Sequence, residues 1–325
     1  MACYDQGMNS RALVVASLLL TSCYKDKPRT EVPPSNGVPP ATARVDYSAT
    51  IADPLGFLPV DSELVLGVDV DQVKKSMFWP PLAARISQAG GPALTTFQQV
   101  CGFDPMQTIR AMSLGIKNLG QKTPDGVLVV HGVDRGALMA CMEKGAQSGG
   151  KTQIENGLVT VRSDDGSTVA FAFVDASTIV GVVGPSASAA QLKAVLAAGS
   201  PLRSSPAFAE LVAKTNLEAS GWMVMNGSSS VFDQMAQAVG SRPKAAFGSV
   251  SVLSGVAMDL HLRLDTPAQA QQLSTMANQQ AGMARSMFTR LDITTENADV
   301  VVALAMTDQQ LTSILQMAGV SLATP

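Results

Sequence analysis

The sequence predicts an α+β fold with two similar halves, each an antiparallel sheet with helices packed on one face. Hairpin patterns alternate with helical patterns, an order that favours antiparallel sheets. The order strand, helix, two strands, helix, hairpin, helix occurs twice along the chain. The closest internal match pairs residues 127–142 with 258–273, because each segment runs through a His to an Asp and then into a helical pattern. An unduplicated α+β chain can also produce such an order, so this alternative stays open.

The first half begins with a strand at 63–70, where Leu64, Leu66 and Val68 alternate with their neighbours. Asp71 is expected to cap a helix. The stretch at 77–81, which ends in two prolines, is expected to break the helix. The helical pattern then resumes at 82–100, with an interruption at Gly90-Gly91-Pro92. The later elements are strands at 109–116, 126–133, 157–162, 168–174 and 178–183, a turn at Asp164-Asp165-Gly166, and helices at 134–146 and 186–198.

The second half repeats this pattern with one strand fewer. Thr266-Pro267 predicts a helix start, since proline fits the first helical turn, and Thr307-Asp308 predicts the cap of the last helix. The predicted strands are 222–225, 249–253, 256–264, 288–294 and 299–306, and the other helix is 230–239.

The first 23 residues have the features of an export signal. Arg11 is followed by an apolar run at 12–20 and by Leu20-Thr21-Ser22-Cys23. This last stretch resembles the bacterial lipobox, which implies that Cys23 carries diacylglycerol and becomes the mature N-terminus. The run is too short to span a bilayer, which takes about 20 apolar residues. The alternatives are an ordinary secretory signal with a coincidental Cys, and a start at Met8 rather than Met1.

Four segments follow from these patterns: a signal peptide at 1–22, a Pro-rich disordered tether at 23–50, and two α+β repeats at 51–200 and 201–325. The tether contains five prolines and few large apolar residues, so it cannot bury enough surface to offset its ordering entropy. Tyr24 after the Cys resembles the sorting pattern of outer-membrane lipoproteins. The expected location is therefore the cell envelope, on the outer membrane, facing the periplasm or the cell surface.

Composition narrows the function classes. Hydrophobic residues make up 46 % of the chain, enough for a sizeable core, and charged residues make up only 15 %. A net charge of −3 argues against nucleic-acid binding, which needs clustered Lys and Arg. We expect no cofactor.

Two cysteines remain after the leader and the lipidated residue are set aside. Cys101 and Cys141 form an even pair in an oxidising compartment, which favours a disulfide. Two buried thiols that pack as small hydrophobic groups are the alternative.

The sequence predicts no catalytic residues. His131 and His261 are the only histidines, each lies in or beside a predicted strand, and a Gly-x-Ser-x-Gly nucleophile motif is missing. A structural role is favoured for both, although a hydrolase site assembled from distant Ser and Asp residues stays open.

No metal site is predicted either. Asp61, Glu63, Asp69 and Asp71 lack the alternating ligands, central Gly and terminal Glu of a calcium loop. The Gly-rich stretch at 181–186 lacks the Lys-Ser/Thr of a phosphate-binding loop and indicates a strand-to-helix turn.

Phe78 and Trp79, followed by two prolines, form the one stretch that suggests a partner contact. An exposed aromatic patch of this kind can dock a partner. Packing beneath the first sheet is the competing interpretation.

The opening Leu-Pro-x-Asp-Ser-Glu-Leu (58–64) and the Gly-Phe-Asp-Pro loop (102–105) resemble uncharacterised bacterial envelope lipoproteins with a duplicated α+β body. That group has no assigned chemistry. The expected function is a non-enzymatic protein anchored to the membrane through lipid on Cys23, which binds a protein or another envelope component. The alternatives are a hydrolase and a carrier of an apolar ligand between the two halves.

Overall fold

Twelve antiparallel strands pair into one sheet in the computed structural model, which describes residues 55–121, 123–147, 151–162, 167–198, 202–282 and 284–317. The strand order is β11-β12-β10-β9-β8-β1-β2-β3-β7-β6-β5-β4. The strands are β1 (Leu64–Asp69), β2 (Ala111–Lys117), β3 (Asp125–His131), β4 (Thr152–Glu155), β5 (Leu158–Arg162), β6 (Thr168–Phe173), β7 (Thr178–Gly184), β8 (Gly221–Asn226), β9 (Ala245–Ser251), β10 (Val256–Arg263), β11 (Arg290–Glu296) and β12 (Asp299–Met306). Antiparallel pairing in an α+β chain is confirmed.

Helices connect the strands and cover parts of the sheet. They are α1 (Val70–Lys74), α2 (Trp79–Cys101), α3 (Pro105–Thr108), α4 (Arg135–Gln147), α5 (Ala189–Ala197), α6 (Pro206–Ala213), α7 (Val231–Val239), α8 (Pro267–Ala281) and α9 (Asp308–Met317). Short 3₁₀ turns lie at Leu202–Ser204 and Arg285–Met287.

One face of the sheet, the α6 face, is closed by α5, α6 and the segment that precedes β1. Val65, Val224 and Phe247 lie on this face and are at most 1 % exposed. Leu192 of α5 and Phe208 of α6 pack in the same buried cluster. This cluster is the main core of the protein, and it crosses the junction between β1 and β8.

The opposite face, the α4 face, carries α2 and α4 over the β3-β7-β6-β5 side of the sheet. Phe97 of α2 and Met142 of α4 pack there with Val130 and Phe171. At the far end of the same face, near β12, the first turn of α8 contributes Ala270 to a smaller cluster with Val300. Helices therefore cover both faces, so the prediction of helices on one face is wrong. The strands carry apolar side chains on both faces, so helices must shield each face from water.

β1 and β8 lie side by side in the middle of the sheet, so the two halves share one continuous ladder rather than forming a sheet each. Gly67 is directly opposite Trp222 in this pairing. A Cβ built on Gly67 would lie 2.3 Å from the indole ring, so only glycine leaves room for the tryptophan at this position.

Helix α2 is kinked at Gly91, where φ is 44° and ψ is −138°. Pro80 and Pro81 occupy its first turn, where the missing N–H costs nothing. The break predicted at 77–81 is confirmed, since α1 ends at Lys74 and α2 begins at Trp79, but the two prolines lie inside the new helix and not before it. The predicted interruption at 90–92 is confirmed.

Most predicted elements are found within a few residues of their expected bounds, with instructive exceptions. β9 lies at Ala245–Ser251 rather than 249–253, because Ala245 and Phe247 face the core while Leu253 is 50 % exposed in the following turn. The strand β4 and the helices α3 and α6 were not predicted. The cap of α1 is Asp69, whose carboxylate accepts the Gln72 N–H at 2.9 Å, and not Asp71.

Cys101 at the end of α2 and Cys141 in α4 form a disulfide, as predicted. The bond ties together the two helices that cover the first half of the α4 face. The signal peptide with Cys23, the tether, and the turn at 164–166 lie outside the described residues.

Candidate functional site

The middle of the α4 face is a band of apolar side chains that the described helices leave half-buried. We call it the apolar strip. Its members come from six neighbouring strands, and each is neither buried nor fully exposed: Leu64, Leu66, Val68, Leu114, Ile116, Met223, Met225, Ala246, Val250, Met258, Leu260, Leu262, Val302 and Leu304.

The strand register places these side chains in rows across the sheet. Leu66 is opposite Leu114 on one side and Met223 on the other. Leu260 is opposite Val302 and is separated from Met223 by Gly248 of β9. Because neighbouring strands lie about 4.8 Å apart, a row from β2 to β12 extends roughly 24 Å.

The two faces of these same strands differ in burial. Val65 and Val224 are fully buried on the α6 face, while their neighbours Leu66 and Met223 on the α4 face remain half-buried. No strip residue belongs to a buried cluster of the described chain. A contiguous, partly exposed apolar surface marks an interaction site more often than chance.

The strip has no charged member, and three of its members are methionines. Methionine is unbranched and flexible, so it adapts to partners of different shape. The strip is therefore suited to binding an apolar surface, and it offers no group for acid–base chemistry.

Phe78 and Trp79 lie at the start of α2, near the end of β1 that leads into α1. Both side chains are half-buried, so neither full exposure nor packing beneath the sheet describes them. The Lys74 ammonium lies 5.9 Å from the centre of the Trp79 ring and donates to the Ile109 carbonyl at 2.7 Å. The neighbouring Leu82 is 40 % exposed.

His131 ends β3 and takes part in a chain of hydrogen bonds. The Thr178 hydroxyl donates to Asp175 at 2.8 Å, so it accepts from His131 Nδ1 at 3.1 Å. Thr178 is 2 % exposed. The hydroxyl is therefore buried, and its proton points away from the imidazole that would have to remove it.

The environment shifts the pKa of both ionisable groups in this chain. Burial lowers the pKa of His131, although Asp175 opposes the effect. Burial alone would raise the pKa of Asp175, but hydrogen bonds from Ser177 and Thr178 outweigh it and hold that pKa below its usual value. Both shifts favour a neutral histidine beside an ionised carboxylate.

His261 lies in β10 on the α6 face and is 8 % exposed. Its ring stacks on Phe247 with centroids 4.6 Å apart, and Nε2 lies 3.4 Å from Asp259. Its buried Nδ1 has no hydrogen-bond partner among the described residues. The two histidines lie on different strands, β3 and β10, and the structure does not bring them together.

A buried ion network joins α6 to the second half of the sheet. Asp299 accepts from Arg263 at 2.7 and 3.0 Å and from Lys214 at 3.3 Å, and Arg263 also donates to Glu210 at 2.8 Å. The Asp299 side chain is 2 % exposed. Burial alone would raise its pKa, but Arg263 and then Lys214 outweigh this and lower it. This network is structural, because every group in it has a partner.

The four acids considered as calcium ligands lie at two different ends of β1. Asp61 pairs with Lys117, and Glu63 accepts from the Asn118 N–H at 2.9 Å, at one end of β1. Asp69 and Asp71 lie at its other end. No group of three metal-binding side chains occurs within the described ranges.

The Gly-rich turn after β7 is closed by the protein's own carboxylate. The Ser186 N–H and hydroxyl donate to Asp125 at 2.9 and 3.0 Å. In a nucleotide site these donors would have to bind a phosphate, but here they are bonded to Asp125. The geometry therefore favours a structural turn.

A cavity of about 170 Å³ lies beneath α6, lined by Leu55, Leu202, Phe208 and Val212 among others. It is smaller than the 300–1,000 Å³ typical of small-molecule sites. An open depression of about 480 Å³ lies at the end of α8, beside Asn278 and Arg285. Across the part of the chain that the structure describes, no helix has the length and apolarity to cross a bilayer.

The strip and the ion network were not predicted from the sequence. A signal for the strip was present, since β8 and β12 carry apolar residues at odd and even positions, a pattern typical of strands covered on both faces. Only the structure shows that the described helices leave one face incompletely covered. Comparison with protein-family models, with curated proteins and with solved structures found no match.

Proposed function

We propose that this chain is a non-enzymatic lipoprotein of the bacterial envelope, anchored through lipid on Cys23, which binds a protein partner on the apolar strip. The single observation that carries the binding role is the half-buried strip across β2, β1, β8, β9, β10 and β12. The lipobox resemblance supplies the anchor and the outer-membrane address.

A partner with an extended apolar face fits the strip best. The strip is several strands wide and has no charge, so specificity must come from shape and from the area buried. A row of roughly 24 Å is about the length of a 16-residue helix. An amphipathic helix or an apolar sheet surface of an envelope protein would cover it.

We also infer that the halves 51–200 and 201–325 are diverged copies of one unit. Outward from the middle, the sheet runs β1-β2-β3-β7-β6 on one side and β8-β9-β10-β12-β11 on the other. Helices α4 and α8 follow β3 and β10, the strands with His131 and His261. The hairpin β4-β5 is an addition to the first copy.

The hydrolase alternative has less support. His131 is bonded to a buried threonine whose proton is committed to Asp175, and no hydroxyl contacts His261 Nδ1 within the described residues. The ligand-carrier alternative would need a larger apolar cavity than the 170 Å³ beneath α6.

Replacing Met223 and Leu260 by Gln should weaken partner binding at least tenfold, because each change places a polar group in the middle of the apolar interface. The lipidated protein is purified from its own envelope together with bound proteins, which are quantified by mass spectrometry. The affinity of each captured protein is then measured with purified components.

Ala257→Gln is the matched control, since Ala257 lies on the same strand as Leu260 but is exposed on the opposite face. The control should bind like the wild type. Equal binding by the double variant, with unfolding free energy within about 1 kcal/mol of the wild type, would contradict a docking role for the strip.

A further inference from the structure

The first half of α2 is a helix with an apolar stripe that no core receives. Trp79, Leu82, Ala83 and Ile86 have the i, i+3, i+4, i+7 spacing of one helix face. No residue from 79 to 89 is buried, and Leu82 is 40 % exposed. Past the kink at Gly91 the same helix buries Leu94 and Phe97. The first half is thus only partly covered, whereas the second half packs in a buried cluster.

The charged side chains of the segment itself are all basic. From residue 72 to residue 103 the chain contains Lys74, Lys75 and Arg85 but no Asp or Glu, although the whole chain carries −3. Lys74 lies 3.8 Å from Asp71. Lys75 and Arg85 are exposed and make no ion pair with any described residue.

A second exposed apolar side chain, Leu253, lies at the same end of the sheet as this segment. The Ser220 hydroxyl donates to Gln72 of α1 at 2.9 Å and accepts from the Val252 N–H at 3.1 Å. Val252 begins the β9–β10 turn, whose Leu253 is 50 % exposed. The turn and the start of α2 therefore share one end of the sheet.

We propose that this end of the molecule, formed by Phe78, Trp79, Leu82, Ile86 and Leu253 with Lys75 and Arg85, docks on the surface of an anionic lipid bilayer. Apolar helix faces with Trp and Leu, bordered by basic residues, insert at the boundary between headgroups and acyl chains. Each Lys or Arg near such a surface adds a favourable electrostatic contribution.

A lipid surface fits better than a protein surface for two reasons. Lys75 and Arg85 are exposed and have no ion-pair partner among the described residues, so a negatively charged surface is their complement. The anchor proposed at Cys23 also keeps the body close to a bilayer, since the 31 residues from Tyr24 to position 54 reach at most about 110 Å. Tethering raises the effective concentration, so weak docking is enough. This step rests on the proposed lipid anchor.

The test uses the full lipidated chain in vesicles and the fluorescence of Trp79. The chain has two tryptophans, and Trp222→Phe leaves Trp79 as the only one. In vesicles of phosphatidylglycerol and phosphatidylcholine, brominated near the headgroup, we expect Trp79 emission to be quenched and shifted to the blue. High salt should reduce the effect. Trp79→Phe, which reports the buried Trp222, should show neither change.

Charge reversal at both basic positions, Lys75→Glu with Arg85→Glu, should lower the ratio of docked to undocked protein roughly 30-fold. Lys193→Glu on α5, on the other face of the sheet, is the control and should change nothing. Flotation with the vesicles distinguishes failure of the lipid anchor from failure of docking. An unlipidated chain fails to float in every variant, whereas a lipidated chain that does not dock floats without quenching.

Unquenched Trp79 in the floating protein overturns the docking proposal. So does a Leu82→Glu variant that loses a protein partner but keeps the quenching.

Discussion

Replacing Asp299 by Asn is expected to lower the free energy of unfolding by about 3–5 kcal/mol, the usual cost of breaking a buried ion pair from one side. The variant leaves Arg263 and Lys214 beside a neutral amide, in a site where the Asp299 side chain is 2 % exposed. Urea unfolding at pH 7, followed by circular dichroism, measures the change.

Asp292→Asn is the matched control for this prediction. Asp292 lies on β11, its side chain is 52 % exposed, and its partner Arg290 is exposed as well. Exposed pairs contribute little, so this variant should stay within about 0.5 kcal/mol of the wild type. Equal effects of the two substitutions would mean that the network does not hold α6 on the sheet.

The same network predicts how stability depends on pH. The pKa of Asp299 is lower in the folded protein than in the unfolded chain, because Arg263 and Lys214 outweigh the effect of burial. Its contribution is complete above the ordinary aspartate pKa of about 3.9 and is lost as the pH falls through the folded value. The stability gap between wild type and Asp299→Asn should therefore stay constant from pH 7 to about 5 and shrink below about 4. A gap that widens on acidification would contradict the assignment.

Removal of the disulfide should have an effect of similar size. Cys101 and Cys141 are 40 residues apart, and opening a loop of that length costs about 4 kcal/mol in the chain-entropy model. The double variant Cys101→Ala, Cys141→Ala should unfold at a correspondingly lower urea concentration.

Reduction of the wild type separates the crosslink from side-chain packing. Cys141 is 2 % exposed, so its replacement also removes buried contacts. The wild type in a strong reductant should approach the double variant in stability, while the double variant should not respond to the reductant. Wild-type stability that is unchanged after complete reduction would show that the crosslink contributes little.

The strands were predictable where alternation and turn residues agree. β10 and β12 have both signals, and their observed bounds lie within one residue of the prediction. β9 was misplaced because its first half, Ala245-Ala246-Phe247, lacks β-branched residues, whereas Leu253 completes an apparent alternation and lies in a turn. The β-propensity of a residue describes only its local fit to a strand. The register of β9 is decided by its pairing with β8 and β10.

The candidate site was only partly predictable. Phe78 and Trp79 were selected from sequence as a contact, and the structure adds Leu82, Leu253 and the basic residues beside them. Leu253 lies far along the chain from this group, and only the Gln72–Ser220–Val252 hydrogen bonds reveal the proximity. The strip depends on which face each helix covers, a tertiary property that no local pattern contains.

The anchor on Cys23 is the claim on which the membrane role depends. Intact mass and N-terminal peptide mass spectrometry of the native protein, taken from fractionated cells, test it directly. The account predicts a chain that begins at Cys23, carries diacylglycerol on its sulfur and sediments with the membranes. A cytosolic chain that retains residues 1–22 and an unmodified Cys23 would contradict it.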